Sequence, residues 1–157
     1  MKKIFSFTRK EFIKILTKKN KYKVIEELAE VFNTPEICSD WDQLVLSLKE
    51  REEIMTTGIG LGIAIPHVRI PGVKKISFAI GISKQGIDFM SLDGNPVNLV
   101  VLVVAAENQH KEYLRLLSKI MLILKQPGVK DKIVNSDSPK KIFKILEEYS
   151  LKESKEE

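Results

Sequence analysis

Ten consecutive residues, Val97 to Ala106, carry one polar side chain, Asn98. A run with no polar alternation has no face to offer to water. It therefore reads as a central β-strand covered on both sides. That demand constrains the rest of the chain, which must supply material for two covering layers. The run is strand-length and well short of the ~18–20 residues of a membrane helix. No direct membrane insertion is expected.

A second strand is legible from Ile76 to Ser83. Ile76, Phe78, Ile80 and Ile82 alternate with Ser77, Ala79, Gly81 and Ser83. Ile87 to Phe89 reads as a short strand before a turn at Asp93-Gly94. Helical patterns lie on both sides of these strands in sequence. The first covers Lys10 to Phe32, broken near Asn20, with Ile25, Leu28 and Phe32 on one face. Ser39 or Asp40 caps the next, whose stripe is Trp41, Leu44, Val45, Leu48 and Met55. A long helix over Asn108 to Lys125 has Tyr113, Leu117, Ile120 and Leu124 as its buried stripe. A short one follows at Val129 to Val134. Ser138 and Pro139 open the last, which buries Ile142, Ile145, Leu146 and Tyr149. The expected fold is α/β, a three-layer α/β/α sandwich. We expect a single domain over residues 1–157, with a core at about 10–149 and a charged, fraying tail at 150–157.

Composition removes whole classes of chemistry. One cysteine, Cys38, cannot build a disulfide framework or a Cys-cluster zinc site, and two histidines cannot supply a three-histidine metal site. No metal is expected. Met1-Lys2-Lys3 is followed by only four apolar-rich residues before Arg9, so no export signal is read and a cytoplasmic location is expected. The net charge is +5, but the lysines are interspersed with glutamates and only four arginines occur (Arg9, Arg51, Arg69 and Arg115). No nucleic-acid partner is expected; strongly salt-dependent DNA binding would favour one.

His67 stands out. It ends the run Gly58-Ile59-Gly60-Leu61-Gly62-Ile63-Ala64-Ile65-Pro66, so a glycine-rich loop and a short extended segment deliver it just after a proline. Glycine amides can approach a ligand closely and form an anion nest. The order helix, glycines, strand is neither the dinucleotide fingerprint nor a Walker loop. The plainer alternative is a histidine that finishes a loop. His110 lies seven residues before Leu117, so it is expected on the buried stripe, facing the sheet at the head of a helix that welcomes an anion. Its alternative is a core histidine bonded to backbone. Arg51 lies at the margin of an apolar face, beside Glu52. It reads either as an anion-binding guanidinium held against that acidic neighbour or as a cation complementing a helix C-terminus. Thr56 and Thr57 offer hydroxyls at the same place, or merely terminate the helix. Cys38 reads as a buried structural thiol. Two histidines, an arginine, hydroxyls and flexible amides suggest phosphoryl chemistry on a histidine. No cofactor is needed if a phosphorylated partner brings the group.

The run TTGIGLGIAIPH, Thr56 to His67, closely resembles the phosphorylation-site motif of enzyme IIA components of the bacterial phosphotransferase system, in the fructose–mannitol branch that includes the nitrogen-regulatory enzyme IIA. The pair Arg51-Glu52 matches the family's arginine–glutamate pair, and His110 in ENQH matches its second histidine. The resemblance covers about Lys10 to Tyr149. It implies a mixed sheet between helix layers. It also implies that His67 takes a phosphoryl group on Nε2 from the carrier protein HPr and passes it to an enzyme IIB cysteine. Arg51 would bind the group with His110 close by, and Thr56, Thr57, Gly58 and Gly60 are expected to bind the phosphoryl group too. The alternative is a regulatory IIA whose phosphorylation state switches binding to other proteins. Val68 and Leu61 depart from the commoner family residues, and the family's first strand is not evident in the N-terminal region.

Overall fold

The computed structural model describes residues 4–136 and 138–156, with side chains through Ser150. One six-stranded sheet organises the chain. Its strands are β1 (Ile13–Ile15), β2 (Gly58–Gly60), β3 (Ile63–Ala64), β4 (His67–Arg69), β5 (Ser77–Ile87) and β6 (Val97–Ala105). The order is β1-β5-β6-β3-β2, and β4 continues along the β6 edge where β3 leaves off. β5 runs antiparallel to β6, whereas β1 is parallel to β5 and both β3 and β4 are parallel to β6. The sheet is therefore mixed, as expected.

The alternation in β5 and the apolar continuity of β6 separate two cores. On one face Phe78, Ile80, Ile82, Leu99, Val101 and Val103 pack under α3 (His110–Leu124), α4 (Val129–Val134) and α5 (Pro139–Glu156). On the other, Ala79, Val100, Leu102 and Val104 pack under α1 (Lys21–Ala29) and α2 (Trp41–Ile54). That second face is lined by small residues on β5 because the covering chain lies close. A Cβ built on Gly81 lands 2.8 Å from Leu16 Cδ2. The result is the three-layer sandwich.

Three local readings need correction. The N-terminal region is not helical from Lys10. Short 3-10 turns precede β1, and helix begins only at Lys21, where the Asn20 side chain accepts the Tyr22 and Lys23 N–H groups. β1 is the strand the sequence did not reveal: three residues with a lysine in the middle, paired with β5 far along the chain. Ile87 is not a separate strand but the far end of β5, opposite Val97 across an irregularity in the register. α5 does not stop near Tyr149. Its backbone stays helical to Glu156, and the rest of the expected tail, Glu157, lies outside the described residues. Other readings hold. Asp40 caps α2 by accepting the Gln43 N–H at 3.1 Å, and Ser138 Oγ accepts the Lys141 N–H at 3.2 Å at the head of α5.

Candidate functional site

His67 opens β4 directly after Pro66, whose carbonyl accepts the Val103 N–H at 3.0 Å and so holds the segment on the sheet. The imidazole is half-buried. Its Nδ1 lies 2.7 Å from the Ile65 carbonyl oxygen. A carbonyl only accepts, so Nδ1 carries the proton and the neutral ring keeps its lone pair on Nε2. Burial is the largest influence on its pKa and pushes it below the ordinary value near 6.5. Arg51 pushes the same way, against the Ile65 hydrogen bond and the Glu52 carboxylate. The ring is therefore held neutral, with Nε2 available as a nucleophile. In an NMR titration the ring nitrogens of His67 change state with a midpoint below 6.5; a midpoint at or above that value overturns this reading. The sign for stability follows. The unfolded histidine protonates first, so stability falls as pH drops from about 6.5 towards the lower folded midpoint.

Arg51 comes from the last turn of α2, across from the strand. Its Nη1 donates to the Met55 carbonyl at 2.9 Å, closing the helix end. Of the two readings of Arg51, the helix C-terminus one matches this bond, and Glu52 does not hold the guanidinium. Glu52 is buried and points to Lys21, 3.2 Å away, and to Thr57. Helix geometry explains this: adjacent residues lie about 100° apart around the axis, so Arg51 reaches the rim while Glu52 enters the core.

The hydroxyls and amides expected to cradle an anion are engaged elsewhere. Thr57 Oγ1 donates to Glu52 Oε2 at 2.6 Å. Thr56 Oγ1 donates to the Phe89 carbonyl and accepts the Gly58 N–H at 3.1 Å. Gly60 has φ +98° and the next amide, Leu61 N–H, donates to Asp93 Oδ2 at 3.0 Å. That amide of the glycine loop is thus taken by the protein's own carboxylate. The loop also lies towards the opposite end of β6 from His67. Ile63 pairs with Leu99, whereas His67 pairs with Val103.

His110 begins α3 but is exposed, not turned to the sheet. The buried stripe is Tyr113, Leu116, Ile120, Ile123 and Leu124, and Leu117 lies at its margin. Reckoned at 100° per residue, His110 sits roughly 90° from the centre of that stripe. One turn further on, Tyr113 packs against His67, ring centroids 6.1 Å apart at 49°. Burial pushes its hydroxyl pKa up to about 12, with Arg51 and Arg69 drawing it down. Arg69 donates its Nη1 to the Glu107 carbonyl. The sequence reading did not bring Tyr113 and Arg69 to the site. Arg69 was accessible by strand periodicity, being two residues past His67, whereas Tyr113 announced itself only as a core residue. Among the described residues no group of three His, Cys, Asp or Glu side chains could hold a metal ion.

A family model described as phosphoenolpyruvate-dependent sugar phosphotransferase system, EIIA 2, matches residues 6–149. This chain belongs to that family. It is 32% identical over 148 residues to the fructose-specific EIIABC component of Bacillus subtilis, spanning 94% of this chain but only 23% of that protein. It is also 32% identical over 128 residues to a nitrogen regulatory protein of Bradyrhizobium diazoefficiens, spanning 81% of this chain and 82% of that one. Among solved structures, the nitrogen regulatory protein IIA-Ntr of Neisseria meningitidis superposes with a TM-score of 0.84 at 27% identity, covering 91% of this chain and 98% of that one. Escherichia coli enzyme IIA mannitol, in its complex with phosphorylated enzyme IIB, shares the fold at a TM-score of 0.71 and 20% identity, covering 88% and 95%. No helix among the described residues is long and apolar enough to cross a membrane.

Proposed function

We propose that this EIIA 2 family member is a phosphocarrier acting in the cytoplasm, with His67 as the residue that carries the group. The Nε2 lone pair attacks the phosphorus of a phosphohistidine on an HPr-type donor. The donor N–P bond breaks as the Nε2–P bond forms, and the proton stays on Nδ1, hydrogen-bonded to the Ile65 carbonyl. A cysteine thiolate of an enzyme IIB-type acceptor then attacks the same phosphorus and returns the electron pair to Nε2. The observation that carries this reading is the Nδ1–Ile65 bond of 2.7 Å, which leaves Nε2 unprotonated within the field of Arg51. Arg51 neutralises the moving charge, and His110, exposed one turn from Tyr113, assists from the solvent side. Thr56, Thr57, Gly58 and Gly60, whose segment is bonded within the protein, hold the chain that leads to His67 rather than contact the phosphoryl group.

A carrier must also dock its donor. Four exposed apolar side chains, Met55, Leu61, Met90 and Leu92, lie on the glycine loop and the segments beside it, and we assign them to the docking surface. Leu61 and Met90 are 65% and 71% exposed and hold positive φ angles of 59° and 52°. An apolar residue in a strained backbone and in water has no reason of its own to be there. The Leu92 N–H bond to the Gly58 carbonyl ties together two of the segments that carry these side chains. Met90→Asp should raise the KM for the phosphodonor by about tenfold and leave kcat within about twofold. A proportional loss in both would assign Met90 to the chemistry instead.

The test of the function is incubation with phosphoenolpyruvate, enzyme I and HPr, followed by a IIB acceptor. Label entering the chain and leaving for the IIB cysteine is the expected result. The nitrogen-regulatory reading draws support from the 27% identity and 98% coverage of the Neisseria protein. Label that enters but passes to no IIB would favour that switch role. Absence of label on the folded protein overturns both.

A further inference from the structure

An unbroken line of hydrogen bonds joins a buried ion pair to the imidazole. Lys21 Nζ donates to Glu52 Oε1 at 3.2 Å. Glu52 accepts the Thr57 N–H at 3.0 Å and the Thr57 hydroxyl at 2.6 Å. The Thr57 carbonyl accepts the Ile65 N–H at 3.0 Å. The Ile65 carbonyl then accepts His67 Nδ1–H at 2.7 Å. Lys21 and Glu52 are only 8% and 2% exposed.

Stability alone is a poor account of this arrangement. A buried ion pair commonly does no better for the fold than well-packed apolar residues of the same size. Here both carboxylate oxygens accept from Thr57, gripping its main chain and its side chain together, while Oε1 also accepts from Lys21. Lys21 meanwhile also reaches the Phe89 carbonyl at 3.5 Å, the same oxygen that accepts the Thr56 hydroxyl. Both threonines before the glycine loop are thus fixed from the interior. The fixed Thr57 carbonyl in turn sets where the Ile65 carbonyl sits, and that oxygen selects the tautomer of His67.

We infer that Glu52, clamped by Lys21, is a positioning residue for His67, acting through Thr57 and Ile65 to keep the proton on Nδ1 and the lone pair on Nε2. The inference rests on His67 being the phosphoryl acceptor, but its primary readout does not require transfer. The charged and titratable groups around the imidazole are Arg51 and Glu52 from α2, Tyr113 from α3 and Arg69 on its own strand. The measurement is therefore made at about pH 8, where the depressed pKa keeps the ring neutral.

Glu52→Gln leaves the Lys21 ammonium unpaired in the interior and risks unfolding. Thr57→Val keeps the ion pair and the side-chain shape while removing the hydroxyl, so it carries the decision. The ring nitrogens of His67 are followed by 15N NMR in the wild type, Thr57→Val and Thr57→Ser, with melting temperatures measured alongside. The wild type should show the Nδ1–H tautomer. In Thr57→Val the ratio of the other tautomer to it should rise by about 3- to 10-fold, phosphoryl acceptance from phospho-HPr should fall by a similar factor, and Thr57→Ser should restore both. A folded Thr57→Val protein with the wild-type tautomer ratio overturns the inference, however far its melting temperature drops. If the tautomer shifts as expected while the wild type takes no label, the positioning role stands and the phosphocarrier reading fails. If label passes normally and the tautomer never shifts, the reverse holds.

Discussion

His67→Ala should take no phosphoryl label from phospho-HPr, although the protein should stay folded. The half-buried ring makes one hydrogen bond to the Ile65 carbonyl, and losing it costs about 1 kcal/mol. That is a small part of the 5–15 kcal/mol or so typical of a domain. What disappears is an imidazole held neutral and in a defined tautomer, the one to which the proposed transfer is assigned. The other histidine, His110, is exposed and has no such anchoring bond among those described. The label on the wild type should be acid-labile and stable in alkali, as an N–P bond is. Mass spectrometry of both proteins decides the matter. Undiminished labelling of His67→Ala, or label on a serine, removes His67 from its role.

The second large effect belongs to Arg51. A charge-assisted hydrogen bond contributes about 1.5–3 kcal/mol, so Arg51→Ala should slow transfer by roughly 10- to 100-fold. Arg51→Lys should recover part of this, because a lysine supplies the charge without the planar fork. The side chain also closes the end of α2 through the Met55 carbonyl, so a modest drop in melting temperature accompanies the kinetic loss. The two are separable. Arg51 pushes the His67 pKa down, so in the alanine variant the His67 midpoint should move up. A folded Arg51→Ala protein with normal transfer and an unmoved His67 midpoint would leave the arginine as a helix cap only.

The three layers were legible because they depend on patterns within single segments, whereas the mixed sheet was implied only by the family resemblance, since strand direction depends on pairing between segments. Val97 to Ala106 shows no polar face, β5 alternates, and the helices carry stripes at their proper spacing. β1 was hidden because three residues next to lysines show no period, and their partner lies some seventy residues away along the chain. The site divides in the same manner. His67 and Arg51 were visible through local motif and helix position. Their surroundings were set by contacts distant in sequence. Asp93 takes the Leu61 amide of the glycine loop from 32 residues away, and Lys21 claims Glu52 from 31 residues away. A histidine seven residues before a leucine was read as sharing its burial, but that leucine was itself at the edge of the stripe. Tyr113 was read correctly as buried and yet missed as a neighbour of His67, since periodicity gives a side chain its face and not its companions.

β4 has a further consequence. It is three residues long, follows a proline and ends in Arg69, and its ladder runs along β6. Such brevity, with a proline ahead and a charge behind, discourages a visiting chain from adding itself as another strand. Whatever meets His67 is then held by side-chain contact rather than by a main-chain ladder. In the proposed relay, where one protein must leave before the next arrives, residence time is then set by a few side chains and matters as much as a ready nitrogen.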